Sequence, residues 1–213
     1  DKCTLCAKCA DFCRYNAIAV ISDRLLFFEQ LCHGCGGCKL VCQAGAIGET
    51  EHHVGVIEKG GKPDLPLYHG MLDIGQPFGV PIIRDLKSLV NNHGTVIFDS
   101  PPGTACPAVE AMRDADYCIL VTEPTPFGLH DLKLTVDVVR ELDIPFGVVI
   151  NRDGIGDDRV EKYCSEESIA LLAKIPNDIR IARLYSKGVP IVEGLPVFQQ
   201  LFMEIFERAR EAV

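Results

Sequence analysis

Cysteine spacing constrains this chain more than any other feature. Eight of its eleven cysteines fall between Cys3 and Cys42, in two runs of identical form. The first is Cys3-x2-Cys6-x2-Cys9-x3-Cys13 and the second Cys32-x2-Cys35-x2-Cys38-x3-Cys42. A disulfide scaffold belongs to small secreted chains, and the remaining residues here have the pattern of a cytosolic α/β domain, so the clustering points to metal. Structural zinc sites take cysteines as two separated pairs and have no use for three in a row, twice. Three thiols at three-residue intervals let a short loop wrap one corner of an iron–sulfur cubane, while the fourth crosses to the other cluster. The spacing therefore predicts two [4Fe–4S] clusters, one on Cys3, Cys6, Cys9 and Cys42 and the other on Cys32, Cys35, Cys38 and Cys13.

Small residues fill the second loop (Gly34, Gly36, Gly37), where backbone must approach inorganic sulfur and donate N–H groups. A short apolar patch follows each run, Ala17-Ile18 and Ala46-Ile47. With these residues the segment resembles a bacterial two-cluster ferredoxin with its internal repeat. It departs from that family after the fourth cysteine of each run, where Arg14 and Gln43 stand in place of proline. The resemblance implies a small ferredoxin-like α+β domain over residues 1–53, passing single electrons to a redox partner protein.

From residue 54 onward strand and helix patterns alternate. Short apolar runs at 95–99, 117–122 and 146–151 read as buried parallel strands, with a weaker one at 169–175. Helical spacing joins Ile83, Leu86 and Val90, and again Leu129, Leu132, Val136, Val139 and Leu142. A last helix opens at Pro196 and carries Phe198, Leu201, Phe202, Ile205 and Phe206 on one stripe. Strand alternating with helix predicts an α/β fold with a parallel sheet flanked by helices, over residues 54–213. No apolar run approaches the roughly 20 residues a membrane helix needs. A formal charge of −9 argues against nucleic acid or an anionic membrane as partner.

Ligands of such sheets bind at the carboxyl ends of the strands. There the predicted strand 95–99 runs into Asp99-Ser100-Pro101-Pro102-Gly103-Thr104. An acid at that place suits the hydration shell of Mg²⁺, and the glycine leaves a backbone N–H for a phosphate oxygen. The segment resembles the second switch of the MinD/ParA class of P-loop ATPases. Val121–Thr125, Val149–Arg152, Ile175–Asp178 and Lys187–Pro190 follow that class in order. The resemblance implies a homodimer that binds ATP and Mg²⁺. It assigns Asp99 to catalysis and Gly103, Asn151, Arg152, Pro176 and Asn177 to the nucleotide, with Asn151 on the adenine and the loop Pro176–Asp178 lining the base. Together the two resemblances match MinD-type ATPases with an inserted ferredoxin domain.

The class uses a phosphate loop, G-x-x-x-x-G-K-[ST], which these residues do not spell; Lys59-Gly60-Gly61-Lys62-Pro63 has proline where Ser or Thr is required. The sequence-based expectation is a cytoplasmic protein of which this chain lacks the N-terminal P-loop part. Without that loop's lysine it is not expected to hydrolyse ATP alone. Cys106, before Pro107, is expected to cap a helix, either as a packed small residue or as a ligand or sensing thiol; Cys118 and Cys164 are expected to be structural. Adjacent His52 and His53 would point to opposite faces of a strand, and His33, between two ligands, reads as a solvated loop residue ahead of one that adjusts a cluster's potential. No catalytic histidine is expected among His33, His52, His53, His69, His93 and His130.

Two functions compete. The first couples ATP binding or hydrolysis to electron transfer through two [4Fe–4S] clusters. The alternative is an ATP-dependent iron–sulfur carrier or assembly scaffold, whose class typically uses a C-x-x-C near the carboxyl end; none follows Cys42. A membrane-positioning role would want a basic amphipathic tail, and Glu204, Glu207 and Glu211 make this one mixed.

Overall fold

The computed structural model describes residues 2–76, 78–90 and 94–213. The chain divides into two compact units, Asp1–Val96 and Ile97–Val213. The boundary falls well beyond the 53/54 division expected from sequence, because the segment after residue 53 folds as a hairpin and helix within the first unit.

The first unit opens with α1 (Lys8–Phe12), then the antiparallel pair β1 (Ile18–Ile21) and β2 (Arg24–Phe27), a 3₁₀ turn and α2 (Gly37–Val41). Ala17 and Ile18 are buried, as the apolar patch after the first cysteine run requires. Helices α1 and α2 meet where a Cβ on Gly37 would come within 2.1 Å of a Phe12 ring carbon, so a residue without a side chain stands there. Two longer strands follow, β3 (Gly55–Lys62) and β4 (Leu65–Leu72), antiparallel and closed by Pro63-Asp64. Helix α3 (Val80–Ser88) lays Ile82 against Gly55 and Gly70 of this hairpin. The glycine–lysine stretch at 59–62 is thus the end of β3, with the Lys59 ammonium over the Tyr68 ring.

The second unit contains α4 (Cys106–Met112), β5 (Cys118–Thr122), α5 (Pro126–Glu141), β6 (Phe146–Asp153), α6 (Arg159–Glu166), β7 (Ala170–Pro176), α7 (Ile179–Tyr185), α8 (Ile191–Gly194) and α9 (Val197–Glu211). Strands β5, β6 and β7 form a parallel sheet in that order. Thr125 caps α5 by accepting the Gly128 N–H, and Pro126 opens its first turn. Leu132, Val136 and Val139 then recur at helical spacing and bury against Leu120, Val148 and Ile150. Val160 and Cys164 of α6 complete that core. On the other sheet face, α9 sets Phe198 and Ile205 against Val149, Leu172 and Ile175.

Two expectations are corrected. Thr95–Asp99 is not a strand; it pairs with no strand among the described residues, and Ile97 is 84% exposed, so its apolar run lacks the burial a ladder would give it. Both faces are covered at β6 and β7, whereas β5 alternates buried and exposed, leaving Ile119 and Val121 open. No described helix is long and apolar enough to cross a membrane. His93 lies outside the described residues.

Candidate metal and nucleotide sites

The two cysteine runs fold alike, residue for residue. Leu5 and Ala7 flank Cys6 in the left-handed region, and Gly34 and Gly36 flank Cys35 in the same way. The third matching pair is Asn16 and Gly45, each three residues after the run's last cysteine, where their N–H groups donate to the carbonyls of Cys13 and Cys42. Left-handed residues interspersed with ordinary ones turn successive N–H groups inward, the backbone concavity that receives anions, phosphates and iron–sulfur groups. Glycine adopts this conformation freely; Leu5 and Ala7 hold it at about 1–2 kcal/mol each. Helices α1 and α2 then carry Cys9 and Cys38, and Cys13 and Cys42 stand at their carboxyl-terminal caps.

Chemistry differs along the runs. The Lys8 N–H, then the Thr4 hydroxyl, stabilise the thiolate of exposed Cys6 and draw its pKa down. Burial pushes the Cys9 thiol up, helped by the neighbouring charges of Cys3 and Cys6. Burial likewise raises Cys38, with Cys32 and Cys35 as its charged neighbours. A cavity of about 400 Å³ gathers Cys13 from the first run with Cys32, Cys35 and Cys38 from the second. Lys8 Nζ donates to Gln43 Oε1 at 2.8 Å, tying the first loop to the residue after Cys42. Lys39 pairs with Glu49 at 2.6 Å. All eight thiols are free of disulfides. Among the described residues no three His, Cys, Asp or Glu side chains converge as ligands of a single ion would. A cubane asks for something else, because each of its four thiolates takes a different iron.

His33 is not a solvated loop residue. Its ring stacks on Tyr15 at 3.4 Å between centroids and meets Phe78 at 3.6 Å on the other side. Tyr15 and His33 both line the cavity, and burial lowers the His33 pKa. His52 and His53 part company, toward Glu29 at 3.0 Å and Asp73 at 3.2 Å.

In the second unit the carboxyl ends of the parallel strands converge. Asn151 Oδ1 accepts the Arg152 N–H at 3.0 Å, and Arg152 adopts φ 55°. The Arg152 guanidinium donates to Glu123 Oε1 at 3.2 Å, fastening the end of β6 to the loop after β5. Asn177 N–H donates to the Asp153 carbonyl at 2.8 Å, and Pro176 stands opposite Asp153 in the ladder. Asn151, Arg152, Pro176 and Asn177 therefore share one rim of the sheet. Lys174 bridges Glu161 at 2.7 Å and Asp153 at 3.7 Å, and its hydrogen bond to Glu161 raises its pKa. Asp178 caps α7 through the Arg180 N–H. Asp99 and Gly103 lie on the exposed segment before α4, and among the described residues no hydrogen bond joins them to this rim.

Cys106 is the first residue of α4, with Ala105 at the cap; its side chain is exposed rather than packed under the loop. Cys118 and Cys164 are buried in the core, as expected. Sequence reasoning missed the Glu123 tether, whose signal was an acid directly after a strand, and the long hairpin β3–β4.

No family model matches the chain. An uncharacterized protein of Methanocaldococcus jannaschii is 34% identical over 83% of this chain, and the chain covers 62% of that protein's length. An iron–sulfur cluster carrier protein of Pyrococcus furiosus is 28% identical over 53% of this chain and 44% of its own length. Among solved structures, the septum site-determining protein MinD of Pyrococcus horikoshii, complexed with Mg-ADP, covers 65% of this chain and 60% of its own. The two are 25% identical, with a TM-score of 0.54. The chain thus has an α/β fold with a parallel sheet resembling that of the MinD-type P-loop NTPases. This likeness corrects the expectation that sets the chain apart as lacking the P-loop part: the matched residues take the P-loop NTPase fold.

Proposed function

We propose that this chain is an iron–sulfur protein of the ATP-dependent cluster-carrier type, holding [4Fe–4S] clusters in its first unit and a nucleotide with Mg²⁺ at the strand ends of its second. The observation that carries the metal part is the cavity shared by Cys13, Cys32, Cys35 and Cys38, three thiols from one run and the crossing thiol from the other. The matched left-handed residues support a second set on Cys3, Cys6, Cys9 and Cys42, since backbone strain at Leu5 and Ala7 persists where it serves a ligand. The carrier relative and the Mg-ADP-bound MinD support the choice of cargo and nucleotide.

The residues divide the work by their chemistry. Eight thiolates bind iron, and inward N–H groups at the two loops stabilise the negative charge of the bound clusters, which supply one-electron chemistry or serve as cargo. Asn151, its Oδ1 fixed by the Arg152 N–H, presents its amide N–H groups to a base, while Glu123 holds Arg152 in place and Pro176 with Asn177 walls the rim. Asp99 orders the water around Mg²⁺ and the Gly103 N–H meets a phosphate oxygen, in a homodimer.

One sequence observation favours a second reading, nucleotide-gated electron transfer to a redox protein: the chain has two complete four-cysteine sets and no C-x-x-C after Cys42. Anaerobically purified protein, mixed with an apo-acceptor with and without Mg-ATP, separates the two. The carrier reading expects iron and sulfide to appear on the acceptor at a rate that nucleotide changes. Clusters that stay bound and reduce reversibly, whatever nucleotide is present, overturn it in favour of electron transfer.

A further inference from the structure

Resting on the two-cluster reading above, we infer that the two sites are unequal: the set Cys3, Cys6, Cys9 and Cys42 releases its cluster as cargo, and the set Cys13, Cys32, Cys35 and Cys38 keeps its own. The equal spacing of the two runs hides three physical differences.

The first difference is backbone. The retained site has glycine at both positions flanking Cys35, Gly34 and Gly36, so its loop rests in the binding conformation without strain. The releasing site has Leu5 and Ala7 in the same left-handed region, a conformation that L side chains leave when nothing holds them there. Departure of the ligand relaxes that loop and leaves the other unchanged.

The second difference is access. Two thiols of the releasing set, Cys3 and Cys6, are exposed, with Cys42 partly buried and Cys9 buried; in the retained set Cys35 alone is exposed, and Cys13, Cys32 and Cys38 are partly buried where they line the cavity. Incoming thiolates reach Cys3 and Cys6 directly, a first foothold of two thiols against one in the other set. The third difference is an aromatic wall. Tyr15 and His33 stack on one another in the wall of the retained site's cavity, and Phe78, from the segment leading into α3, packs at a tilt against the His33 ring. On the releasing side the first loop is tied by the Lys8–Gln43 hydrogen bond to the residue after the crossing ligand Cys42.

Release is a ligand exchange. Each of the four bonds from iron to Cys3, Cys6, Cys9 and Cys42 breaks as a thiolate of the acceptor takes that iron. Four protons pass from the acceptor's thiols to the freed cysteines, and no electron changes hands. The acceptor is a protein with a set of free thiols of its own.

The test follows iron loss from the anaerobic two-cluster chain to a ferrous chelator, with visible absorbance and EPR read alongside. Two phases of equal amplitude are expected, separated by roughly tenfold or more in rate, the factor associated with one strained residue. Lys8→Met should accelerate only the fast phase and Phe78→Ala only the slow one. Leu5→Gly should slow the fast phase, which a merely structural role for Leu5 would not do. A single phase, or acceleration of the same phase by both Lys8→Met and Phe78→Ala, overturns the inequality while leaving two clusters in place. Protein that holds no iron–sulfur cluster overturns the reading beneath it as well.

Discussion

The crosswise sharing of thiols makes a prediction in which two substitutions are worth less together than apart. Two complete sets hold about eight irons per chain, four to a cluster. Alanine at Cys13 opens one set, so iron after a chelator wash should fall to about four per chain. Cys13, Cys35, Cys32 and Cys38 line one cavity, so adding Cys35→Ala damages a set already lost and should cost no further iron. Cys6 belongs instead with Cys9, whose thiol senses it and Cys3. Adding Cys6→Ala to Cys13→Ala should therefore empty the chain. The assay is iron and acid-labile sulfide per chain under anaerobic conditions, with EPR of the dithionite-reduced protein counting the surviving clusters. Sets confined to each run predict the reverse ranking. Iron near zero in Cys13→Ala with Cys35→Ala, and about half retained in Cys13→Ala with Cys6→Ala, would refute the crossing.

Phe198 is buried between α9 and the sheet, so Phe198→Ala should cost about 3–5 kcal/mol in urea unfolding of the chain, and Met203→Ala, 48% exposed, close to nothing; a loss under about 1 kcal/mol for Phe198 would remove α9 from the core. Asn151→Ala should weaken Mg-ADP binding by roughly tenfold in a fluorescent-nucleotide titration, the worth of one or two hydrogen bonds, and unchanged affinity would take Asn151 out of the site. Hydrogen bonds from Arg180 and Arg159 hold the carboxyls of Asp178 and Asp157 below the ordinary range. With the folded value below the unfolded one, their contribution is present above about pH 4 and is lost as pH falls through the folded values. Urea midpoints of the Asp157→Asn, Asp178→Asn double variant should thus depend less on pH between about 4 and 2; an unaltered slope would mean that the pairs do not form.

Where the sequence was legible, one local rule was enough. Cysteine intervals located eight candidate ligands because each loop is built from residues adjacent in the chain. Strands β5, β6 and β7 and helices α5 and α9 followed from apolar periodicity, since their burial is settled by neighbours within the unit. The pattern failed at Thr95–Asp99, where an apolar run has the composition of a strand but no ladder partner among the described residues. The hairpin β3–β4 escaped because its glycines and charges lack an alternating apolar face; its packing depends on Ile82, far along the chain. The Tyr15–His33–Phe78 stack joins three positions too distant in sequence for any spacing rule. Left-handed Leu5 and Ala7 were hidden for a different reason: nothing in a leucine or alanine announces a positive φ, and only their alignment with Gly34 and Gly36 gives it away.

Iron and sulfide analysis of the oxygen-protected chain, joined to Mössbauer spectroscopy, tests the central claim most directly. The account predicts about eight irons and about eight sulfides per chain, with the quadrupole signature of [4Fe–4S]²⁺ throughout. Colourless protein carrying zinc on these cysteines would contradict it.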